Sequence, residues 1–209
     1  MNTPIDPLLA PSAAPVTPAA SGSSKSPWRV GLEWFGVIAV AVLAAITIRV
    51  FVLQQFYIAG PSMETTMVSD ERVLVNKLSY RLHDVRRGDV VVFDRVTTNG
   101  GLVQHDDLIK RVIALEGERV ELRDCVVYID GQQLVEPYLD PAHLARPDAQ
   151  SRCSVATMAP QLVPADHVFV MGDNRAESFD SRMFGPVRED LIVGRAFVVI
   201  WPFGQWRWL

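Results

Sequence analysis

The chain has 209 residues, a net charge of −4 and 49% hydrophobic residues, which bounds it to one domain of ordinary size plus appendages. Beyond residue 60 both signs of charge are interspersed. No basic run marks a nucleic-acid partner and no acidic run marks a solvating tail.

The first 27 residues are rich in Pro, Ala and Ser. Such a stretch cannot offset its ordering entropy, so a disordered tail is expected over residues 1–29. Residues 34–53 are nearly all apolar. Twenty residues at 1.5 Å each make about 30 Å of helix, the hydrocarbon thickness of a bilayer, and a single transmembrane helix is expected over residues 30–53. Arg49 stands about a turn from its outer end, where a long side chain can snorkel to the interface. Lys25 and Arg29 precede the span and place the N-terminus in the cytoplasm, with residues 54–209 on the other side of the plasma membrane. A cleaved leader is the competing reading. It needs small residues before the cut, and in Phe56-Tyr57-Ile58-Ala59 a tyrosine occupies one of those positions, so the anchor is favoured.

Beyond the anchor, short Val- and Ile-rich runs alternate with polar turns. Strands are expected over residues 51–58, 72–76, 89–93, 108–114, 119–122, 126–129, 167–170 and 192–200. Asp130-Gly131 marks a hairpin. Arg87-Gly88-Asp89 reads as a turn opening a strand rather than as an adhesion signal. Residues from about 130 to 166 hold five prolines and read as a loop-rich insertion. No long 3.6-residue pattern follows the anchor. The expected fold is therefore mainly β: one transmembrane helix, then an all-β domain (54–209) of twisted antiparallel sheets or a partly open barrel.

Cys125 and Cys153 would face an oxidising side of the membrane and could pair, or remain two buried thiols. Neither has a histidine at ligand spacing, so no metal site is expected. The tail Trp201-Pro202-Phe203-Gly204-Gln205-Trp206-Arg207-Trp208-Leu209 holds three of the five tryptophans; it suits a membrane interface or a core equally.

Two residues carry the chemistry: Ser62 in Gly60-Pro61-Ser62-Met63, and Lys110 in Ile109-Lys110-Arg111-Val112. A serine hydroxyl needs a base to become a nucleophile. The four histidines (His83, His105, His143, His167) offer one, but Glu64 stands where a Gly-x-Ser-x-Gly elbow would end. Lysine as base makes a physical demand, since only about 0.04% of an unperturbed lysine is neutral at pH 7. Burial can lower its pKa by several units. The strand around Lys110 is apolar enough to supply such burial, although alternation could equally turn the side chain to solvent.

These two blocks, with Gly172-Asp173-Asn174-Arg175-Ala176-Glu177-Ser178-Phe179-Asp180-Ser181-Arg182 downstream and Arg87-Gly88-Asp89-Val90-Val91-Val92-Phe93 between, similar to the family's Arg-Gly-Asp-Val-Val-Phe-like block, resemble the type I signal peptidases, membrane-bound Ser/Lys proteases. The resemblance runs from about residue 34 to the C-terminus. It implies Ser62 as nucleophile, a buried Lys110 as general base, and no metal or cofactor. Ser178 would orient the lysine amine, Asp180 and Arg182 would brace the site with Arg111, and Gly172 and Asp173 would shape the loop. The backbone at Ser62 would serve the oxyanion. Gly60 stands where many relatives add a hydroxyl donor, and Pro61 has no N–H to give. Phe56, Ile58, Met63, Met67, Leu108 and Ile109 are expected to wall pockets for small side chains, as in Ala-X-Ala. Signal-peptide-bearing preproteins and the lipid bilayer are the expected partners, with no nucleic acid and no obligate protein partner. The rival readings are an inactive relative acting as a membrane-anchored chaperone or assembly factor, and a self-cleaving Ser/Lys regulator. The second would need a DNA-binding part for which the N-terminal tail is too short.

Overall fold

The computed structural model describes residues 26–145 and 152–209. The expected disordered tail, apart from its last residues, and part of the insertion lie outside the described residues. The chain divides into two units, residues 1–43 and 44–209. A helix, α1 (Pro27–Phe51), carries the apolar segment. From Pro27 to Arg49 its residues are exposed and largely apolar. By length and composition, Pro27–Arg49 can cross a membrane.

The second unit is built of antiparallel strands. The larger sheet contains β1 (Leu53–Tyr57), β2 (Arg72–Asn76), β3 (Val90–Asn99), β4 (Leu102–Ala114), β9 (His167–Met171), β10 (Val187–Arg188), β11 (Ile192–Trp201) and β12 (Arg207–Trp208). Its order is β1-β2-β11-β3-β4-β9-β10, with β12 beside β11. The smaller sheet contains β5 (Arg119–Arg123), β6 (Val126–Ile129), β7 (Gln132–Gln133) and β8 (Met158–Leu162), in the order β7-β6-β5-β8. Asp130 and Gly131, with φ of 49° and 79°, form the expected tight turn between β6 and β7, whose twist demands left-handed residues.

Strand β3 shows why the apolar runs are nearly continuous. Val90 and Val92 face a core with Ile58, Met63, Met67, Val73, Val75, Ala196 and Val199. Val91 and Phe93 face a second core with Val85, Val112, Val168, Val170 and Val187. A strand buried on both faces loses the alternation of a half-exposed one. A third core, around Ile113, Val120, Leu122, Val127 and Phe169, joins the two sheets.

Two differences from expectation have clear causes. Strands β3 and β4 extend well past Phe93 and Leu108 into a long hairpin, whose outer half is largely exposed and so carries no apolar pattern. Strand β8 runs through the proline-rich insertion. It lies at a sheet edge, where Pro160 sacrifices no ladder bond. Cys125 and Cys153 are joined, with Cα atoms 5.8 Å apart across 28 residues of sequence. This tethers the insertion to the smaller sheet.

The topology leaves a gap where a strand could enter. Strand β1 lies at one edge of the sheet. Strand β4 pairs with β9 only over Arg111–Ala114, so its residues 102–110 pair with β3 alone. The segment after β1 nevertheless reaches β4, so the sheet curls until these two free edges face each other.

Candidate active site

Ser62 sits in a one-turn 3-10 helix, Pro61–Met63, directly after β1. Proline fits its first position, where an N–H would have no intrahelical acceptor. The Ser62 N–H shares that first turn and points out of the helix unused by it. The turn buries Met63 and Met67 completely in the core. Both were expected as pocket walls; the structure corrects this, because the turn that exposes Ser62 to the cleft rotates Met63 inward, and Met67 follows one turn later through its N–H to the Met63 carbonyl.

Lys110 lies on β4 at the end of the unpaired edge. Its side chain is buried, at 3% exposure, and its Nζ stands 2.7 Å from Ser62 Oγ and 2.9 Å from the Ile109 carbonyl oxygen. Burial pushes the amine down to about 8, against the opposing pull of the Asp180 and Asp173 carboxylates. The question of strand alternation is thus resolved toward burial. Among the described residues no histidine bonds to Ser62. His105 pairs with Asp94 on the exposed hairpin, while His83 and His167 contact backbone carbonyls.

The block 172–182 packs under this pair. Gly172 is pressed so close that a methyl group on it would overlap the Ser62 carbonyl oxygen and Ser178 Oγ, and would come within 2.6 Å of Ser178 Cβ. The Asn174 N–H donates to the Ser62 carbonyl at 3.1 Å. Ser178, expected to hold the lysine amine, reaches this floor; its buried hydroxyl has no partner at full hydrogen-bond geometry, and its polar influence falls on the Asp180 carboxylate, whose pKa it helps lower.

Arg182 and Asp180 are fully buried and paired at 2.7 Å, with a second contact at 2.8 Å. Asp180 also accepts from the Gly172 N–H at 2.9 Å. Burial would raise the Asp180 carboxyl, but the Arg182 guanidinium outweighs it and holds the group below its ordinary range. Arg111 does not join this pair as expected. It forms its own fork with Asp173, at 2.9 and 2.7 Å, and lies over the Tyr138 ring at 4.1 Å. Asp173 was expected only to shape backbone; its real partner is 62 residues away in sequence.

A third buried pair, Arg175 with Glu136, was not anticipated. Arg175 also donates to the Gly172 carbonyl at 3.0 Å. Burial opposes the Arg175 charge, yet Glu136 more than compensates and raises its pKa. The sequence signal available was Arg175 within the recognised block; nothing local pointed to Glu136.

A cleft of about 140 Å³ opens beside Ser62 and Lys110. Four expected walls line it: Phe56, Ile58, Leu108 and Ile109. Tyr57, Ala59, Gly60, Val92 and Asp107 complete the lining, and of these only Gly60 was singled out beforehand. Ligand pockets commonly run to about 300–1,000 Å³, so this one suits small side chains. Gly60 is extended, at φ 170°, with open space where its Cβ would be. A buried, readily neutral amine in contact with a serine hydroxyl can remove that hydroxyl's proton. The unused Ser62 N–H can receive the negative oxygen that results from attack on a carbonyl.

Known proteins resemble this chain over most of its length. A family model described as signal peptidase, peptidase S26, matches residues 31–201. A probable signal peptidase I-2 of Synechocystis sp. is 39% identical, over 84% of this chain and 76% of its own. Signal peptidase I of Leptolyngbya laminosa is 38% identical over 93% and 91%, and that of Bacillus caldolyticus 36% over 84% and 93%. The crystal structure of a signal peptidase I from Enterococcus faecalis V583 is 31% identical, covering 54% of this chain and 97% of that one, with a TM-score of 0.40. The chain belongs to the signal peptidase family, peptidase S26.

Proposed function

We propose that this signal peptidase removes N-terminal signal peptides from preproteins with Ser62 as nucleophile and Lys110 as general base. The observation that carries the assignment is the 2.7 Å contact between Ser62 Oγ and a buried Lys110 Nζ. Neutral Lys110 takes the hydroxyl proton as Oγ attacks the scissile carbonyl. The C–O bond forms, and the oxyanion settles on the Ser62 N–H. Lys110 then hands its proton to the departing amine as the C–N bond breaks, leaving an acyl-enzyme. Water attacks next, gives its proton to Lys110, and the ester C–O bond breaks with that proton returned to Ser62.

The substrate enters as an added strand between the free edges of β1 and β4. Small side chains occupy the cleft beside Ile58 and Ile109, and larger ones are excluded by its size. Ser178 turns its buried hydroxyl toward the amine during the proton transfers. The apolar helix anchors the chain in the plasma membrane, with Lys25 and Arg29 on the cytoplasmic side and the peptidase domain across it. Trp206 and Trp208, both largely exposed, rest at the bilayer interface, the environment that suits aromatic side chains with one wet end. The chaperone-like alternative has no comparable support, since it gives no reason for burying a lysine against a serine.

The test is cleavage of an Ala-X-Ala signal-peptide substrate by the detergent-solubilised full chain. Cleavage after the second alanine, lost in Ser62→Ala and in Lys110→Met, is the expected result. A folded wild type that leaves the substrate intact under conditions where a related signal peptidase cuts it would refute the assignment.

A further inference from the structure

Asp107 is the one ionisable side chain lining the cleft with an acidic group; Lys110 is buried at the far end and Tyr57 keeps its phenol on Asp70. The remaining side chains around Asp107 in the lining are mostly apolar. Asp107 is exposed, and among the described residues its side chain has no hydrogen bond or ion pair. Its cross-strand neighbour on β3 is Asp94, and like charges so placed repel. Asp94 is partly relieved by His105, whose Nδ1 lies 2.6 Å away. Asp107 has no such relief.

The geometry points to Asp107 as a specificity residue that favours a basic side chain at the fifth residue before the cut. This rests on the peptidase reading and deepens it. Side chains of an extended strand alternate between faces. If the first and third residues before the cut fill the apolar part of the cleft, the fifth shares their face. A substrate strand whose cut bond lies at Ser62 and whose upstream part runs back toward Phe56 passes Lys110, then Ile109, then Asp107 on β4. Asp107 lies two residues before Ile109, on the same face of that strand. The next same-face side chain of the substrate therefore arrives over an unpaired carboxylate. A lysine there gains a partner, whereas a glutamate adds a third carboxylate beside Asp107 and Asp94.

The experiment uses the full chain in detergent and three signal peptides identical but for Lys, Gln or Glu at the fifth residue before the cut. For wild type at low salt, kcat/KM for Lys over Glu is expected to be roughly three- to tenfold, the range of partly exposed charge pairs acting once by attraction and once by repulsion. Asp107→Asn should bring the ratio close to one, and Asp107→Lys should invert it. Raised salt should compress the wild-type ratio. Equal cleavage of the three peptides by wild type, or a Lys preference that survives both substitutions, would overturn the inference while leaving the peptidase reading intact. No cleavage even of the Gln peptide would overturn that reading, and this inference with it.

Discussion

Burying the Lys110 charge costs the fold stability, and replacing the residue should show this as a gain. At pH 7 the amine is charged in the unfolded chain, with a pKa of 10.5, while in the folded protein burial holds it at about 8. The difference corresponds to about 3 kcal/mol of stability forgone below pH 8. Lys110→Met keeps the length and apolar stem of the side chain and removes the charge. It also removes the donor facing the Ile109 carbonyl, which returns about 1 kcal/mol. The net expectation is a variant more stable by about 2 kcal/mol at pH 7, or roughly 4–8 °C in Tm for a chain of this size. It should be inactive.

The pH dependence gives the sharper test. A lysine whose folded pKa is depressed binds fewer protons folded than unfolded between pH 8 and 10.5. Wild-type stability attributable to this group must therefore rise with pH across that window. The advantage of Lys110→Met should be fullest below pH 8 and should fade by pH 10.5. Thermal unfolding of both full-length proteins in the same detergent, from pH 6.5 to 10.5, measures it. An advantage that is absent at pH 7, or that does not shrink as pH rises, would refute the assignment of the cost to a buried charge. The wild-type kcat/KM should in turn rise with a midpoint around pH 8 and level off about one pH unit higher, because about a tenth of Lys110 is neutral at pH 7 against about 0.04% for a free lysine.

Gly172→Ala should cost more than 100-fold in kcat and about 2–3 kcal/mol in stability, because the new methyl meets the Ser62 carbonyl and Ser178 in a space with no give; steady-state kinetics beside thermal unfolding would show both. Replacing Cys125 and Cys153 together with alanine should lower stability by about 3–4 kcal/mol in the chain-entropy model, with a smaller effect on kcat, as read by urea unfolding and the peptide assay. Arg207 donates to the Thr66 carbonyl at 2.7 Å and to Glu71 Oε1 at 2.7 Å, clamping the loop that follows Ser62. Arg207→Met should reduce kcat about tenfold or more with little change in KM, since a misplaced nucleophile loses orientation rather than binding, and Arg207→Lys should restore only part of it.

Much of the site was legible because its chemistry is carried by local strings. Ser62 follows a strand that ends in Phe56-Tyr57-Ile58, and Lys110 interrupts an apolar run where a charge is out of place. The burial of Lys110 was not decidable from its strand alone, since β4 is covered on both faces near Val112 and open near Gln104. Its partner choices were harder still. Arg111 and Asp173, like Arg175 and Glu136, are joined by folding across dozens of residues, and no periodicity encodes which carboxylate an arginine will claim. Met63 and Met67 misled because their identity suits a pocket wall as well as a core. Only the hand of the turn after Pro61 separates the two. The disulfide was likewise undecided until the two Cα atoms were placed.

The buried ion pairs explain how a lysine can be neutral beside acids. Asp180 and Asp173 both pull the Lys110 pKa upward. Left free, either carboxylate would become the lysine's counterion and keep it protonated, which would bar it from the proposed role as a base. Each is instead saturated by its own arginine, Asp180 by Arg182 and Asp173 by Arg111. The residual field at Lys110 is that of two neutralised pairs, and Arg182 itself pushes the amine downward. Burial then decides the outcome. Buried ion pairs are poor sources of stability when compared with apolar packing, and three of them surround one small site. Their value here is electrostatic: they hold Gly172 and its loop against Ser62 while withholding from Lys110 the one interaction that would disable it.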